Sequence, residues 1–95
     1  MTPDPVAHHC LFYDYVEDVV DKRAPLRADH LALAREWKAD GRIVMAGALG
    51  MPPTGALFVF LVEDAAQVDE FVAADPYVSG GIVTQHRVVP WNVVI

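Results

Sequence analysis

The chain has 95 residues, with seven Lys or Arg against thirteen Asp or Glu, a formal charge of −6 and a hydrophobic fraction of 54%. An acidic chain with no basic run lacks the electrostatic footprint of a nucleic-acid binder, and its apolar runs are too short to span a bilayer. One domain is expected, and the apolar content, high for a small monomer, points to surface buried between copies.

Residues 1–7 read as a flexible, proline-bearing lead-in without the charge and apolar stretch of a secretory signal, and the domain is expected over 8–95. His8 to Tyr15 is rich in aromatic and β-favouring residues and predicts a first strand. Within it Cys10, the single cysteine, has no internal disulfide partner and suits a reducing cytoplasm. Val16 to Arg23 predicts a loop with a helical turn. Ala24 to Asp40 predicts the first long helix, because Leu26, His30, Leu33, Ala34 and Trp37 recur on one helical face. Pro25 stands near its start and Gly41 just past its end.

Arg42 to Leu49 predicts a second strand, Gly50 to Gly55 a turn, and Ala56 to Glu63 a third strand. Asp64 with Gln67 three places on forms a capping-box signature for a second helix to about Ala74. Asp75-Pro76-Tyr77 breaks that helix, and Ile82 to Val94 predicts a fourth strand whose Pro90 suits a sheet edge or a bulge. Strand, helix, strand, strand, helix, strand is the ferredoxin-like βαββαβ order of an α+β fold, with both helices on one face of an antiparallel sheet. The second and third strands, however, are apolar at odd and even positions alike. The face away from the helices therefore needs a cover, and a second copy of the chain supplies it, giving a homodimer in the form of a dimeric α+β barrel.

Four histidines, His8, His9, His30 and His86, are candidates for chemistry. His8 and His9 are adjacent on a strand and point to opposite faces, and no paired-ligand spacing appears, so no metal site is expected. The roles of His8, His9 and His86 stay open. His30 lies on the inward face of the first helix near Arg27 and Asp29. It reads either as a core histidine with one hydrogen bond or as an imidazole tuned for acid/base work. Asp75 likewise reads in two ways. At the end of a helix its charge opposes the macrodipole by roughly 0.3–1 kcal/mol, while as the N-cap of a following turn opened by Pro76 it is well placed.

The segments Leu26-Arg27-Ala28-Asp29-His30-Leu31, Met45-Ala46-Gly47-Ala48-Leu49, Ala74-Asp75-Pro76-Tyr77 and Val88-Val89-Pro90-Trp91 together resemble the YciI-like family, in order and spacing, from about His8 to Val94. The resemblance implies the ferredoxin-like fold, a dimer with packed sheets, and a His–Asp pair in a cleft, His30 and Asp75 matching the family's histidine and aspartate. Arg27 and Tyr77 match further positions of the same motifs. In Phe12-Tyr13-Asp14-Tyr15 and Pro90-Trp91 the chain looks close to a branch similar to chlorohydroxyhydroquinone dehydrochlorinases.

The expected function is thus a lyase- or isomerase-like enzyme working without cofactor. Asp75 orients His30, which moves a proton in the elimination or isomerisation of a small hydroxylated ring compound. Arg27 and Tyr77 are expected to bind substrate and steady an oxyanion, with Phe12, Tyr13, Met45 and Trp91 lining the pocket. Two other readings stand beside it: a non-catalytic small-ligand or accessory protein of a metabolic pathway, and haem ligation by His30 or His86.

Overall fold

A computed structural model describes residues 6–95. The elements run β1 (Val6–Tyr15), α1 (Val19–Lys22), α2 (Arg27–Ala39), β2 (Ile43–Leu49), β3 (Gly55–Phe60), α3 (Ala65–Ala74), α4 (Pro76–Ser79) and β4 (Val83–Val93). The strands form one antiparallel sheet in the order β2-β3-β1-β4, as the predicted βαββαβ order requires. β1 begins at Val6, two residues before the expected start, because Val6 and Ala7 extend the ladder opposite Val93 and Asn92. The rest of the expected lead-in, residues 1–5, lies outside the described residues.

Helix α2 starts later than its periodicity predicts. Pro25 belongs to a turn closed by a bond from Leu26 N–H to the Arg23 carbonyl, and Leu26 occupies the cap position. The end is as expected. Gly41 takes φ 86°, a left-handed conformation that glycine adopts without cost, and lets Arg42 N–H return to the Trp37 carbonyl. α3 opens on Asp64, whose side chain accepts from Ala66 N–H at 2.9 Å. It closes before Pro76, whose ring disfavours a helical conformation at Asp75.

Alternation along the strands sorts the side chains. Leu11 and Tyr13 of β1, Ala56, Phe58 and Phe60 of β3 and Ile43 of β2 face the helices and meet Trp37, Val68, Phe71 and Val72. Phe71 is the hub of this layer, with ring centroids 5.3 Å from Trp37 and Phe58 and 5.4 Å from Phe60. Two of these pairs are edge-on and the Phe58 pair is tilted; aromatic pairs of this kind add about 0.5–1.5 kcal/mol each to the burial of the rings. A smaller cluster of Val19, Tyr77 and Ile82 packs α1 and α4 against the end of the sheet. The backbones of β1 and β3 come so close at Gly55 that any Cβ there would collide with the carbonyl oxygen of Tyr13.

The other face of the sheet holds Cys10, Phe12, Leu57, Val59, Val89, Trp91 and, past an irregularity in β2, Met45. Cys10 and Val59 belong to neither core cluster. Met45 is 63% exposed, Trp91 47% and Val89 36%. No helix of the described residues is long and apolar enough to cross a membrane.

Candidate functional site

The site forms where the first turns of α2 and α4 meet the helix-facing side of β1 and β3. α2 carries His30 inward; the Asp75-Pro76-Tyr77 stretch brings Asp75 and Tyr77 to it from 45 residues away in sequence. His30 Nδ1 lies 2.8 Å from Asp75 Oδ1, with His30 6% and Asp75 0% exposed. The same Oδ1 accepts Tyr77 N–H at 3.0 Å, and Oδ2 accepts the Tyr13 hydroxyl at 2.8 Å. Asp75 is therefore the N-cap of α4 with Pro76 in its first turn, and at the same time the partner of His30. The two readings of this residue are one arrangement.

Three donors converge on the carboxylate, so it acts as an acceptor and the proton on Nδ1 points toward it. That fixes the His30 tautomer and leaves Nε2 as the nitrogen that can take a proton. The imidazole stacks on the Tyr77 ring, with centroids 3.7 Å apart and planes within 4°. Burial pushes the Tyr13 hydroxyl far above its ordinary pKa, helped by the Asp75 carboxylate, so Tyr13 remains a donor. Burial also raises Tyr77, partly offset by the nearby Arg23 and Arg27 guanidinium groups.

Beside His30 a cavity of about 390 Å³ opens between α2 and the β2–β3 part of the sheet. It exists because the facing residues are small: Ala34 on α2, Ala46 and Ala48 on β2, Ala56 on β3. His30, Tyr77 and Arg27 line it, and Met45 contributes from β2. Of the residues singled out from sequence, the structure thus brings together His30, Asp75, Tyr77 and Arg27; Met45 borders the cavity from a strand position that pairs with Val59 and faces the other side of the sheet. Tyr13 joins them from behind; it is 1% exposed in the core and touches Asp75 rather than the cavity. Phe12 and Trp91 lie on the opposite face of the sheet, Phe12 beneath the Arg87 guanidinium at 4.2 Å and Trp91 across from His8. The physical reason is the pleat: adjacent Phe12 and Tyr13 cannot share one wall.

Sequence reasoning missed Tyr15, Arg23, Arg35 and Lys38, which also line the cavity. For Arg35 and Lys38 the signal was present, since they continue the stripe that runs through Arg27, His30, Leu31 and Ala34 at helical spacing. Of the remaining histidines, His9 is buried with Nδ1 3.0 Å from the Val62 carbonyl, the arrangement of a satisfied core histidine. His86 is exposed on β4 opposite Tyr13. Among the described residues no group of three His, Cys, Asp or Glu side chains converges as a metal site would require.

Comparison with known proteins places this geometry in context. No curated protein matches the chain. Among solved structures it is similar to 5-chloro-2-hydroxyhydroquinone dehydrochlorinase (TftG) from Burkholderia phenoliruptrix AC1100, in complex with 2,5-dihydroxybenzoquinone. The TM-score is 0.75 at 22% identity, over 88% of this chain and 92% of that one. At that identity the likeness establishes a shared fold. Residues 7–92 match the YCII-related domain, nearly the whole of the chain, and the protein belongs to that family.

Proposed function

We propose that this chain is a small-molecule enzyme that uses His30 and Asp75 for acid/base chemistry on a hydroxylated ring compound, without metal or organic cofactor. The observation that carries the reading is the buried His30–Asp75 contact at 2.8 Å in the wall of a cavity large enough for a small ring. His30 Nε2 takes a hydroxyl proton as the ring gains carbonyl character, and the imidazolium returns it to a ring carbon, which completes an isomerisation. Where that carbon bears a halide, the halide leaves with its bonding pair and a second hydroxyl loses its proton, for a net loss of hydrogen halide. Asp75 favours the imidazolium by charge; Arg27 steadies the oxygen that develops charge. The likeness to a dehydrochlorinase supports elimination as the first reaction to assay.

The reading includes a homodimer built across the apolar sheet face of Cys10, Phe12, Val59, Met45 and Trp91, with Phe12 and Trp91 held in that interface. A lone buried cysteine whose thiol is pushed up by burial suits a reducing cytoplasm.

The test is release of chloride from 5-chloro-2-hydroxyhydroquinone by the purified protein and by His30→Gln. Loss of turnover by about 10²–10⁴-fold in the variant, with native circular dichroism, is expected. Unchanged turnover removes His30 from the mechanism. A non-catalytic ligand-binding role is the second reading. It is favoured by the completeness of the Asp75 network, which equally describes a rigid core, and it predicts binding without pH-dependent turnover across a panel of hydroxyquinones and lactones.

A further inference from the structure

The distribution of positive charge around the cavity is uneven in a way the acid/base reading does not require. The chain has seven Lys and Arg in all, and Arg23, Arg27, Arg35 and Lys38 line this one cavity. No Asp or Glu lines it. Arg42, just outside, is tied to Asp40 at 2.6 Å and holds that carboxyl below its usual range. The four lining cations are different: among the described residues none has a carboxylate within ion-pair distance, and Lys38 bonds only to the Val44 carbonyl at 2.9 Å. Asp75 sits behind His30 with its oxygens occupied by three partners.

A molecule with net charge −6 repels anions over most of its surface, so uncompensated cations gathered at a single concavity make that concavity the favourable place for one. Their placement is also ordered. On α2 the stripe begins with Arg27, passes His30, Leu31 and Ala34, and ends with Arg35 and Lys38, about 16 Å along the axis from first to last. Positive groups thus bracket an apolar stretch that accommodates a ring, and the imidazole lies next to the Arg27 end.

We propose that the cavity takes a small organic oxyanion, a ring compound that carries a carboxylate or an acidic enol in addition to the group on which His30 acts. This deepens the reading above and rests on it for the reacting end of the substrate. The binding of the anion itself depends on the arginines and Lys38, whatever His30 does. Arg27 and Arg35 offer planar forks that match a carboxylate or a vicinal dione, which favours such groups over a point-like anion.

The experiment is titration calorimetry of the full chain with 4-hydroxybenzoate and with its neutral counterpart 4-hydroxybenzamide, repeated on Arg27→Gln, Arg35→Gln and His30→Gln. Both arginines are exposed, so these variants keep the fold, checked by circular dichroism. The acid is expected to bind at least about tenfold more tightly than the amide, a difference of about 1.4 kcal/mol. Raising the salt concentration is expected to erode that preference, as is Arg35→Gln with amide binding unchanged, and Arg27→Gln is expected to weaken the acid more than the amide. Equal binding of acid and amide overturns the proposal, as does a preference insensitive to both arginine variants or the absence of acid binding at millimolar concentration. His30→Gln separates the two readings. If it binds the acid normally and fails only in turnover, both stand. If wild type binds the acid through the arginines yet turns nothing over, the anion site stands and the catalytic reading falls.

Discussion

Replacing Tyr13 with phenylalanine isolates a single hydrogen bond at the centre of the site. The ring keeps its edge-on contact with Phe58 at 5.1 Å, so the packing of β1 against the helices is preserved. What disappears is the hydroxyl 2.8 Å from Asp75 Oδ2, leaving one oxygen of a fully buried carboxylate without its donor. A hydrogen bond to a charged group contributes about 1.5–3 kcal/mol, and in a domain of this size each kcal/mol moves Tm by about 4–8 °C, so Tm is expected to fall by about 6–24 °C. Thermal unfolding followed by circular dichroism measures this. Tyr15→Phe is the control, because Tyr15 lies beside the same cluster without a bond to Asp75, and its variant is expected to change stability by under about 0.5 kcal/mol. Equal Tm values for Tyr13→Phe and wild type would refute the claim that the hydroxyl holds the carboxylate. Turnover is expected to fall less than in His30→Gln, since Oδ1 still meets Nδ1.

Three further outcomes follow from the same geometry. Asp75→Asn keeps an oxygen for Tyr77 N–H, and asparagine caps as well as aspartate, so the fold is expected to survive while turnover falls about 10²–10⁴-fold; loss of stability with normal turnover would reduce Asp75 to a cap. All three tyrosines titrate above their ordinary range, Tyr15 at about 12, mainly through burial. A phenol raised in the folded state adds stability that is complete below its unfolded pKa of about 10 and is lost as pH climbs through the folded value, so tyrosinate absorbance is expected to appear together with unfolding above pH about 10. A separate tyrosinate wave near pH 10 in a still-native protein would contradict it. Met45→Glu and Trp91→Glu place charge on the open sheet face and are expected to convert a dimer to monomers in sedimentation; a monomeric wild type would defeat the dimer reading.

The element order was legible because the helices carry clear periodicity and the turns carry glycine and proline. Gly41 and Asp64 do in the structure what their residue types predict. The His30–Asp75 pair was reachable only through family resemblance, since nothing in local pattern links residues 45 apart. The role of Tyr13 was hidden by β1 itself. Both of its faces are apolar, so alternation cannot say which set, His9-Leu11-Tyr13 or Cys10-Phe12, turns to the helices. Arg23 was invisible for another reason: it precedes α2 in an irregular turn, where no periodicity aims a side chain.

The two edges of the sheet carry a consequence for how the molecule meets others. At β2 the ladder is irregular between Ile43 and Met45, and Lys38 reaches across to the Val44 carbonyl there, occupying an acceptor that an incoming strand would use. At β4, Pro90 has no N–H to offer. A bulge, a lysine and a proline are the devices by which natural sheets refuse edge-to-edge growth. Fibrous stacking and capture of stray peptides by strand addition are thereby disfavoured on both sides. The dimer proposed above uses instead the broad surface of the sheet, which one partner would cover.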